Sequence, residues 1–230
     1  MSASERTAEQ AKSDCVAKMG EEIGAVYSAL WQEVVQINRK WAQYVELFGT
    51  SPERIALLNR AASSMFRTIQ DTLWEDVLLH LARLTDPPKS MGKANLSVRH
   101  LAALLAHSPI NTKSEALAAT ALDACEFARD WRNRRLAHRD LDLALGQSVQ
   151  PLSPASRSAV KGAINALEEL LNAVSLHYLD STTFFHLGPG GENAVSLLYL
   201  LRDGLRSRDD RLARKKRGDH RPGDFKHEPL

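Results

Sequence analysis

The chain contains few of the residues that cross-link a fold or ligate a metal. Its 230 residues include only two cysteines, Cys15 and Cys125, which are far apart in the sequence. Such a pair provides neither a disulfide framework nor the close ligand spacing of a zinc site. This cysteine usage is typical of a cytosolic protein with reduced thiols, so we expect a cytoplasmic location.

Long hydrophobic runs are also missing. No stretch of about 18 uncharged apolar residues occurs, which excludes a transmembrane helix on hydropathy. The first residues, Met-Ser-Ala-Ser-Glu-Arg, continue into a charged helical pattern and lack the apolar region of a secretory signal peptide. We therefore expect no membrane partner.

Motifs for cofactors and metals are absent as well. The glycine-rich segment at residues 188–191 has no Lys-Ser/Thr ending and no preceding strand, so it is not a P-loop. His80, His100 and His177 form no pair at zinc-ligand spacing, and we interpret them as structural. The sequence therefore predicts a protein without a cofactor and without a metal.

The net charge of +2 hides an uneven distribution. Residues 202–230 contain ten Lys/Arg and six Asp/Glu, a balance of +4, so the rest of the chain carries −2. The basic tail, with Arg214-Lys215-Lys216-Arg217, either contacts phosphates nonspecifically or is a solvated chain end. The near-neutral body is less basic than that of many dedicated RNA-binding proteins.

The apolar residues recur at three- and four-residue steps, which predicts helices through most of the chain. With short connections between them, the expected fold is an all-α antiparallel bundle of about five to six helices with a long N-terminal helix. That first helix would span about 65 Å if straight, so it either kinks near Gly20 or packs on a second copy. Ser114 is the expected cap of the helix over residues 115–139. The predicted helices cover residues 4–48, 52–85, 98–107, 115–139, 154–179 and 192–216.

The second of these helices should begin at Pro52 and end before Pro87-Pro88, and the loop from there to Asn95 is polar. Its buried face is expected to form one continuous apolar stripe, and His80 lies near that stripe. The stripe consists of Leu58, Ala62, Met65, Ile69, Leu73, Val77 and either Leu81 or Leu84.

Residues 131–140 concentrate more reactive groups than any other segment, reading Trp-Arg-Asn-Arg-Arg-Leu-Ala-His-Arg-Asp. An imidazole crowded by guanidinium groups suits phosphate chemistry, which needs proton transfer and a stabilised phosphate charge. His138 can transfer protons near neutral pH, and Arg132 presents a planar guanidinium to phosphate oxygens. Asn133 could orient the imidazole or the phosphate.

Each of these residues also has a structural interpretation. His138 could be a histidine at a helix C-terminus, stabilised by the helix dipole. Three nearby arginines either bind the substrate or form a solvated basic helix end: Arg134, Arg135 and Arg139. Three further residues either support the site or serve as a cap and ion pairs: Arg83, Asp86 and Asp140. The four tryptophans are expected in the core or in a dimer interface: Trp31, Trp41, Trp74 and Trp131.

Helix geometry limits how Arg132 and His138 can act together. On an ideal α-helix, with 3.6 residues per turn, the two positions lie about 120° apart. They therefore converge only if the arginine side chain wraps around the helix, or if a second subunit supplies one of them. Arg135 is a rival phosphate ligand on this geometry, because it is the i−3 neighbour of His138.

The pattern Arg132-Asn133-x4-His138, at the end of a helix in an all-helical chain, resembles the HEPN superfamily. Three other segments resemble the branch of that superfamily named for phage abortive-infection proteins: Arg83–Asp86, Ala137–Asp140 and Leu197–Arg206. The resemblance covers about residues 20–206. On this basis we expect one HEPN-like helical domain over residues 1–206 and a basic, partly disordered tail over residues 207–230.

The resemblance implies a homodimer in which two Arg/His motifs face one cleft. Catalytic members are metal-independent endoribonucleases, often toxins or antiviral effectors, and inactive members are scaffolds or nucleotide-binding partners. The expected catalytic residues are then Arg132, Asn133 and His138, and the expected activity is RNA cleavage in antiphage or toxin–antitoxin defence. An antitoxin or another defence protein is a possible partner. The alternatives are a non-catalytic HEPN module that binds RNA, nucleotide or protein, and a plain helical dimerisation scaffold.

Overall fold

The computed structural model describes residues 7–137, 140–146, 150–185, 193–222 and 224. In these ranges the chain forms nine α-helices, two π-helical segments and one small β-hairpin. The all-α fold class predicted from the sequence is therefore confirmed. None of the helices in the described ranges is both long and apolar enough to cross a membrane.

The predicted first helix is divided at Gly20. Helix α1 covers Ala8–Met19 and helix α2 covers Glu21–Tyr44. Gly20 has φ 85°, a conformation that glycine adopts without steric cost, so the chain changes direction there. Of the two alternatives for the long first helix, the structure shows the kink near Gly20. A first π-helical segment, Val45–Gly49, follows α2 directly.

Helix α3 covers Pro52–Leu84 and agrees with the predicted second helix, but its apolar stripe is interrupted. Ala62 has φ −163° and ψ 77°, which are not helical values and kink the helix. As a result Ala62 and Met65, both predicted on the buried face, are exposed, whereas Phe66 is buried. The prediction of one continuous stripe was wrong at this point.

A hairpin follows α3 where the sequence predicted only a polar loop. Strands β1, Lys89–Ser90, and β2, Lys93–Ala94, pair antiparallel with Lys89 opposite Ala94 and Ser90 opposite Lys93. Two-residue strands are too short to produce a period of two in the sequence. Helix α4, Val98–Leu104, begins next, with the Ser97 hydroxyl accepting a hydrogen bond from the backbone N–H of His100.

The segment predicted as one helix over residues 115–139 consists of several pieces. Helix α5 covers Asn111–Ala124, helix α6 covers Glu126–Trp131, and the second π-helical segment covers Arg132–Leu136. The expected cap at Ser114 was wrong, because the helix begins three residues earlier. The Ser114 hydroxyl instead donates to the carbonyl of Asn111 inside the first turn. The short helix α7, Leu141–Ala144, was not predicted.

The last two helices lie close to their predicted positions. Helix α8 covers Arg157–Leu179 with Ser156 as its N-cap, and helix α9 covers Ala194–Arg217 with Asn193 as its N-cap. The domain boundary predicted at residue 206 lies inside α9. The glycine-rich segment at residues 188–191 lies outside the described residues.

The chain folds into two compact units. The first takes its described residues from Met1–Trp41 and Leu73–Leu187. Helix α5 packs against α8, and the small side chains of Ala118 and Ala121 on α5 are buried. Large aliphatic residues fill the rest of this core, among them Leu30, Ile37, Leu78, Leu81, Leu101, Leu167 and Leu171.

The second unit takes its described residues from Ala42–Thr72 and Gly188–Leu230. Helix α9 packs against the first π-helical segment in this unit. The core is small and consists of Leu47, Leu58, Phe66, Ala194 and Leu198. An ion pair at 2.6 Å between Arg60 and Asp209 adds a polar contact between α3 and α9.

Candidate functional site

The segment that carries the Arg-Asn part of the motif is π-helical. The backbone N–H of Ala137 donates to the carbonyl of Arg132 at 2.8 Å, an i→i+5 hydrogen bond. Such a turn contains one more residue than an α-helical hydrogen-bonded turn, and π-turns within helices occur frequently at functional sites. The α-helical wheel assumed from the sequence was therefore wrong for residues 132–136.

The guanidinium of Arg132 is held by two acceptors. Its Nη1 atom donates to Oδ1 of Asp86 at 2.5 Å, and its Nε atom donates to Oδ1 of Asn133 at 3.2 Å. Both members of the ion pair are about three-quarters buried. We name these three residues the Arg132–Asp86–Asn133 cluster. It brings together three of the residues predicted from the sequence, from two distant parts of the chain.

A second arginine attaches the motif to the same end of α3. Nη2 of Arg129 donates to the backbone carbonyl of Thr85 at 2.8 Å, directly before Asp86 in the chain. Arg129 was not among the residues predicted from the sequence, although it precedes Arg132 by three residues, the spacing at which two helical side chains lie on one face. Residues 85 and 86 are therefore fixed by two arginines from the motif region.

Arg134 forms a separate cluster directed at the chain following α7. Its Nη2 atom donates to the carbonyl of Gln150 at 2.6 Å, and Nη1 lies 3.5 Å from Oδ1 of Asp130. Its Nε atom lies 3.8 Å from Oδ2 of Asp140, and the Asp140 carboxylate also caps α7 by accepting from Leu143 N–H. These contacts favour a structural role for Arg134 and Asp140, while substrate binding by Arg134 stays a prediction.

Arg135 lies over an aromatic ring instead of joining either cluster. Its guanidinium carbon is 5.3 Å from the centroid of Trp131, and its Nη2 atom is 3.9 Å from a carboxylate oxygen of Glu75. The Trp131 indole N–H donates to the carbonyl of Ser153 at 2.8 Å, which fixes the ring. Arg135 is more than half exposed, so its outer face is accessible to a ligand.

Three of the predicted residues remain: Arg83, His138 and Arg139. Arg83 is exposed near the end of α3 and has no salt bridge with a residue that the structure describes. His138 and Arg139 lie outside the described residues, so their predicted roles stay predictions. The described part of the site therefore contains three arginines and the protein groups that orient them.

His80 is a buried histidine on α3, as its position near the apolar stripe suggested. Only 2% of its side chain is exposed, and Nε2 lies 2.7 Å from Oε2 of Glu33. Loss of hydration on burial lowers the pKa of His80, and this effect exceeds the opposing attraction of the Glu33 carboxylate. His80 is therefore neutral at pH 7 and packs within the first unit.

The two thiols are unsuited to nucleophilic chemistry. Burial raises the pKa of the Cys125 thiol to about 12, and burial also raises the pKa of Cys15. A thiol must ionise to attack an electrophile, and both groups stay protonated near neutral pH. The described part of the chain thus offers no activated cysteine as an alternative centre.

Comparison with protein-family models gives a match to the HEPN family described as AbiU2, over residues 20–189 of the chain. The matched range includes α2 to α8, the Arg132–Asp86–Asn133 cluster and the whole of residues 131–140. Neither the curated proteins nor the solved structures include a significant match to this sequence.

Proposed function

Because the chain belongs to the AbiU2 family of HEPN proteins, a family of the abortive-infection type, we propose that it is a metal-independent endoribonuclease. Its role in this proposal is antiphage defence by abortive infection or as the toxin of a toxin–antitoxin pair. The expected active form is a homodimer with RNA as substrate. An antitoxin or another defence protein would control the activity.

The observation that carries this proposal is the arrangement of Arg132. Asp86 and Asn133 hold its guanidinium through Nη1 and Nε, and Nη2 has no hydrogen bond to a described residue. A guanidinium fixed in this way presents its remaining N–H groups to a phosphate without further loss of side-chain freedom. It can therefore stabilise the charge that develops on the phosphate oxygens during cleavage.

In the proposed reaction, one His138 removes the proton from the 2′-hydroxyl, and the 2′-oxygen attacks the adjacent phosphorus. The bond from phosphorus to the 5′-oxygen breaks, and the His138 of the second subunit gives that oxygen a proton. The products are a 2′,3′-cyclic phosphate and a 5′-hydroxyl end. A histidine suits both steps because its ordinary pKa lies near 6.5.

The route of attack can be tested on the substrate. An RNA with a single mapped cleavage position is compared with the same RNA carrying a 2′-deoxynucleotide on the 5′ side of that bond. We expect the modified bond to remain intact and the unmodified product to end in a 2′,3′-cyclic phosphate, because the attacking oxygen has been removed. Equal cleavage of both RNAs would exclude attack by the 2′-hydroxyl.

One observation favours a second candidate, a non-catalytic HEPN module that binds RNA, nucleotide or a partner protein. The carboxylate of Asp86 already neutralises Arg132, and residues 1–201 carry a net charge of −2. A phosphate must then compete with a carboxylate for the arginine. Salt-dependent RNA binding without product formation would support this candidate over the nuclease, and absence of both would leave a helical dimerisation scaffold.

A further inference from the structure

The hairpin of β1 and β2 follows Asp86 of the Arg132–Asp86–Asn133 cluster closely in the chain, and hydrogen bonds hold its base. The Asn95 side chain donates to the carbonyl of Pro87 at 2.8 Å, and its backbone N–H donates to the carbonyl of Pro88 at 2.9 Å. Asn95 Nδ2 also donates to the Ser90 hydroxyl at 3.0 Å. Asp86 directly precedes Pro87 in the chain, so its contact with Arg132 lies next to the base of the hairpin.

Among the residues that the structure describes, the hairpin lysines and the neighbouring Arg83 carry positive charges that no salt bridge compensates. Arg132, Arg134 and Arg135 each have a carboxylate within 4 Å: Asp86 for the first, Asp130 and Asp140 for the second, and Glu75 for the third. By contrast, Lys89 and Lys93 are exposed and form no salt bridge with any residue in the described ranges. Arg83, on the other side of Asp86, is also exposed and also forms no salt bridge with a described residue.

Met91 occupies a position in the hairpin turn at which methionine is disfavoured. Met91 has φ 48° and Gly92 has φ 81°, the pair of positive angles found in a type I′ turn. Asn and Asp are preferred at the first of these positions, and a methionine there is under backbone strain. The Met91 side chain is also fully exposed, so no internal packing compensates for the strain.

We propose that the hairpin is a substrate-binding arm that holds an RNA strand beside the Arg132–Asp86–Asn133 cluster. Lys89 and Lys93 contact phosphates, and Met91 packs against a base. Lys89 follows Asp86 by three residues, which span at most about 11 Å, so one strand can reach both the lysine and the cluster. That length corresponds to about three nucleotides of a helical strand. The proposal rests on the proposed function, since it assumes that RNA is the substrate.

The lysines are tested with Lys89→Gln/Lys93→Gln in the full-length protein, by measuring RNA cleavage over a range of salt concentrations. We expect KM to rise about tenfold with kcat within about twofold, because phosphate contacts position the strand and do not enter the chemical step. The slope of log KM against log salt should fall by about 1.4, since each lost phosphate contact on a single strand contributes about 0.7.

The matched control is Lys113→Gln/Lys161→Gln, which removes two exposed lysines from helices α5 and α8 of the same unit. This control lowers the net charge by the same amount as Lys89→Gln/Lys93→Gln. It should leave KM and the salt slope within about twofold of the wild type. If the wild type cleaves RNA but the two double variants have the same KM and salt slope, the hairpin does not bind the substrate. The proposed nuclease activity is unaffected by that result. If wild type neither binds nor cleaves RNA, the nuclease and the arm both fail.

Met91→Asn tests whether Met91 contacts the substrate, because we expect it to stabilise the turn and at the same time to weaken RNA binding. Asparagine suits the turn, so we expect Tm to rise by about 1–3 °C. Loss of the apolar contact with a base should meanwhile raise KM about threefold. A variant with a raised Tm and an unchanged KM would show that Met91 does not contact the substrate.

Discussion

Arg132→Ala is expected to lower the kcat of RNA cleavage by about 10³-fold, because it removes the group that stabilises the developing phosphate charge. Arg132→Lys retains the positive charge beside Asp86 but loses the planar set of donors, and we expect a loss of about 10–100-fold. Thermal unfolding should change little in Arg132→Lys, since its amine can still reach the carboxylate.

Arg134→Ala, two residues away, should have the opposite profile. Arg134 donates to backbone carbonyls at residues 150 and 151 and lies beside Asp130 and Asp140, so its loss leaves several polar groups without a partner. We expect the free energy of unfolding to fall by about 1–3 kcal/mol, with kcat within about threefold of wild type. Single-turnover cleavage and urea denaturation measured on both variants make the comparison.

This pair of variants distinguishes the two clusters of the motif. If Arg132→Ala retains full activity while folded, the Arg132–Asp86–Asn133 cluster is not the phosphate site. If Arg134→Ala loses activity and keeps its stability, the substrate role predicted for it from the sequence is correct, and its contacts with residues 150 and 151 are secondary.

Gly24→Ala is expected to destabilise the protein by about 2–3 kcal/mol, a large effect for one methyl group. A Cβ atom at this position would lie 2.5 Å from the Cα of Val16 and 2.6 Å from the carbonyl oxygen of Cys15. Both are backbone atoms of α1, so the clash cannot be relieved by a side-chain rotation. Helices α1 and α2 would have to separate at their closest approach.

Gly162→Ala is the matched control, because Gly162 is also inside a helix of the same unit and nothing lies within 4 Å of its added Cβ. We expect it to stabilise the protein by about 0.5–1 kcal/mol through higher helix propensity. Urea unfolding midpoints of the two variants should therefore shift in opposite directions. Equal shifts would contradict the close approach of α1 to α2.

The helices were predictable because their signals are local. Periodic apolar residues located α3 and α8, and the proline at residue 52 and the pair at residues 87–88 marked the ends of α3. A break near Gly20 was one of two alternatives for the long first helix, and it occurs there because glycine adopts φ above zero without cost. The kink at Ala62 has no such signal, since alanine favours a helix and only tertiary packing can override that preference.

The site was only partly predictable. Sequence reasoning found Arg132, Asn133 and Asp86, and the structure brings them together, although 46 residues separate Arg132 from Asp86. It assumed an α-helix through the motif, because a π-helical turn depends on one shifted hydrogen bond and leaves no periodic pattern. It also could not distinguish Arg132 from Arg134, whose roles depend on which carbonyls and carboxylates the folded chain places beside them.

The central claim is tested most directly by RNA cleavage in excess chelator, comparing the wild type with His138→Ala at equal concentration. We expect the wild type to cleave under these conditions and the variant to lose at least about 10²-fold in rate, since His138 would transfer protons in both bond-forming and bond-breaking steps. Circular dichroism and sedimentation on the same samples establish that the variant is folded and has the wild-type oligomeric state. Equal cleavage by the two proteins, or cleavage by the wild type that stops when metal is removed, would contradict the account.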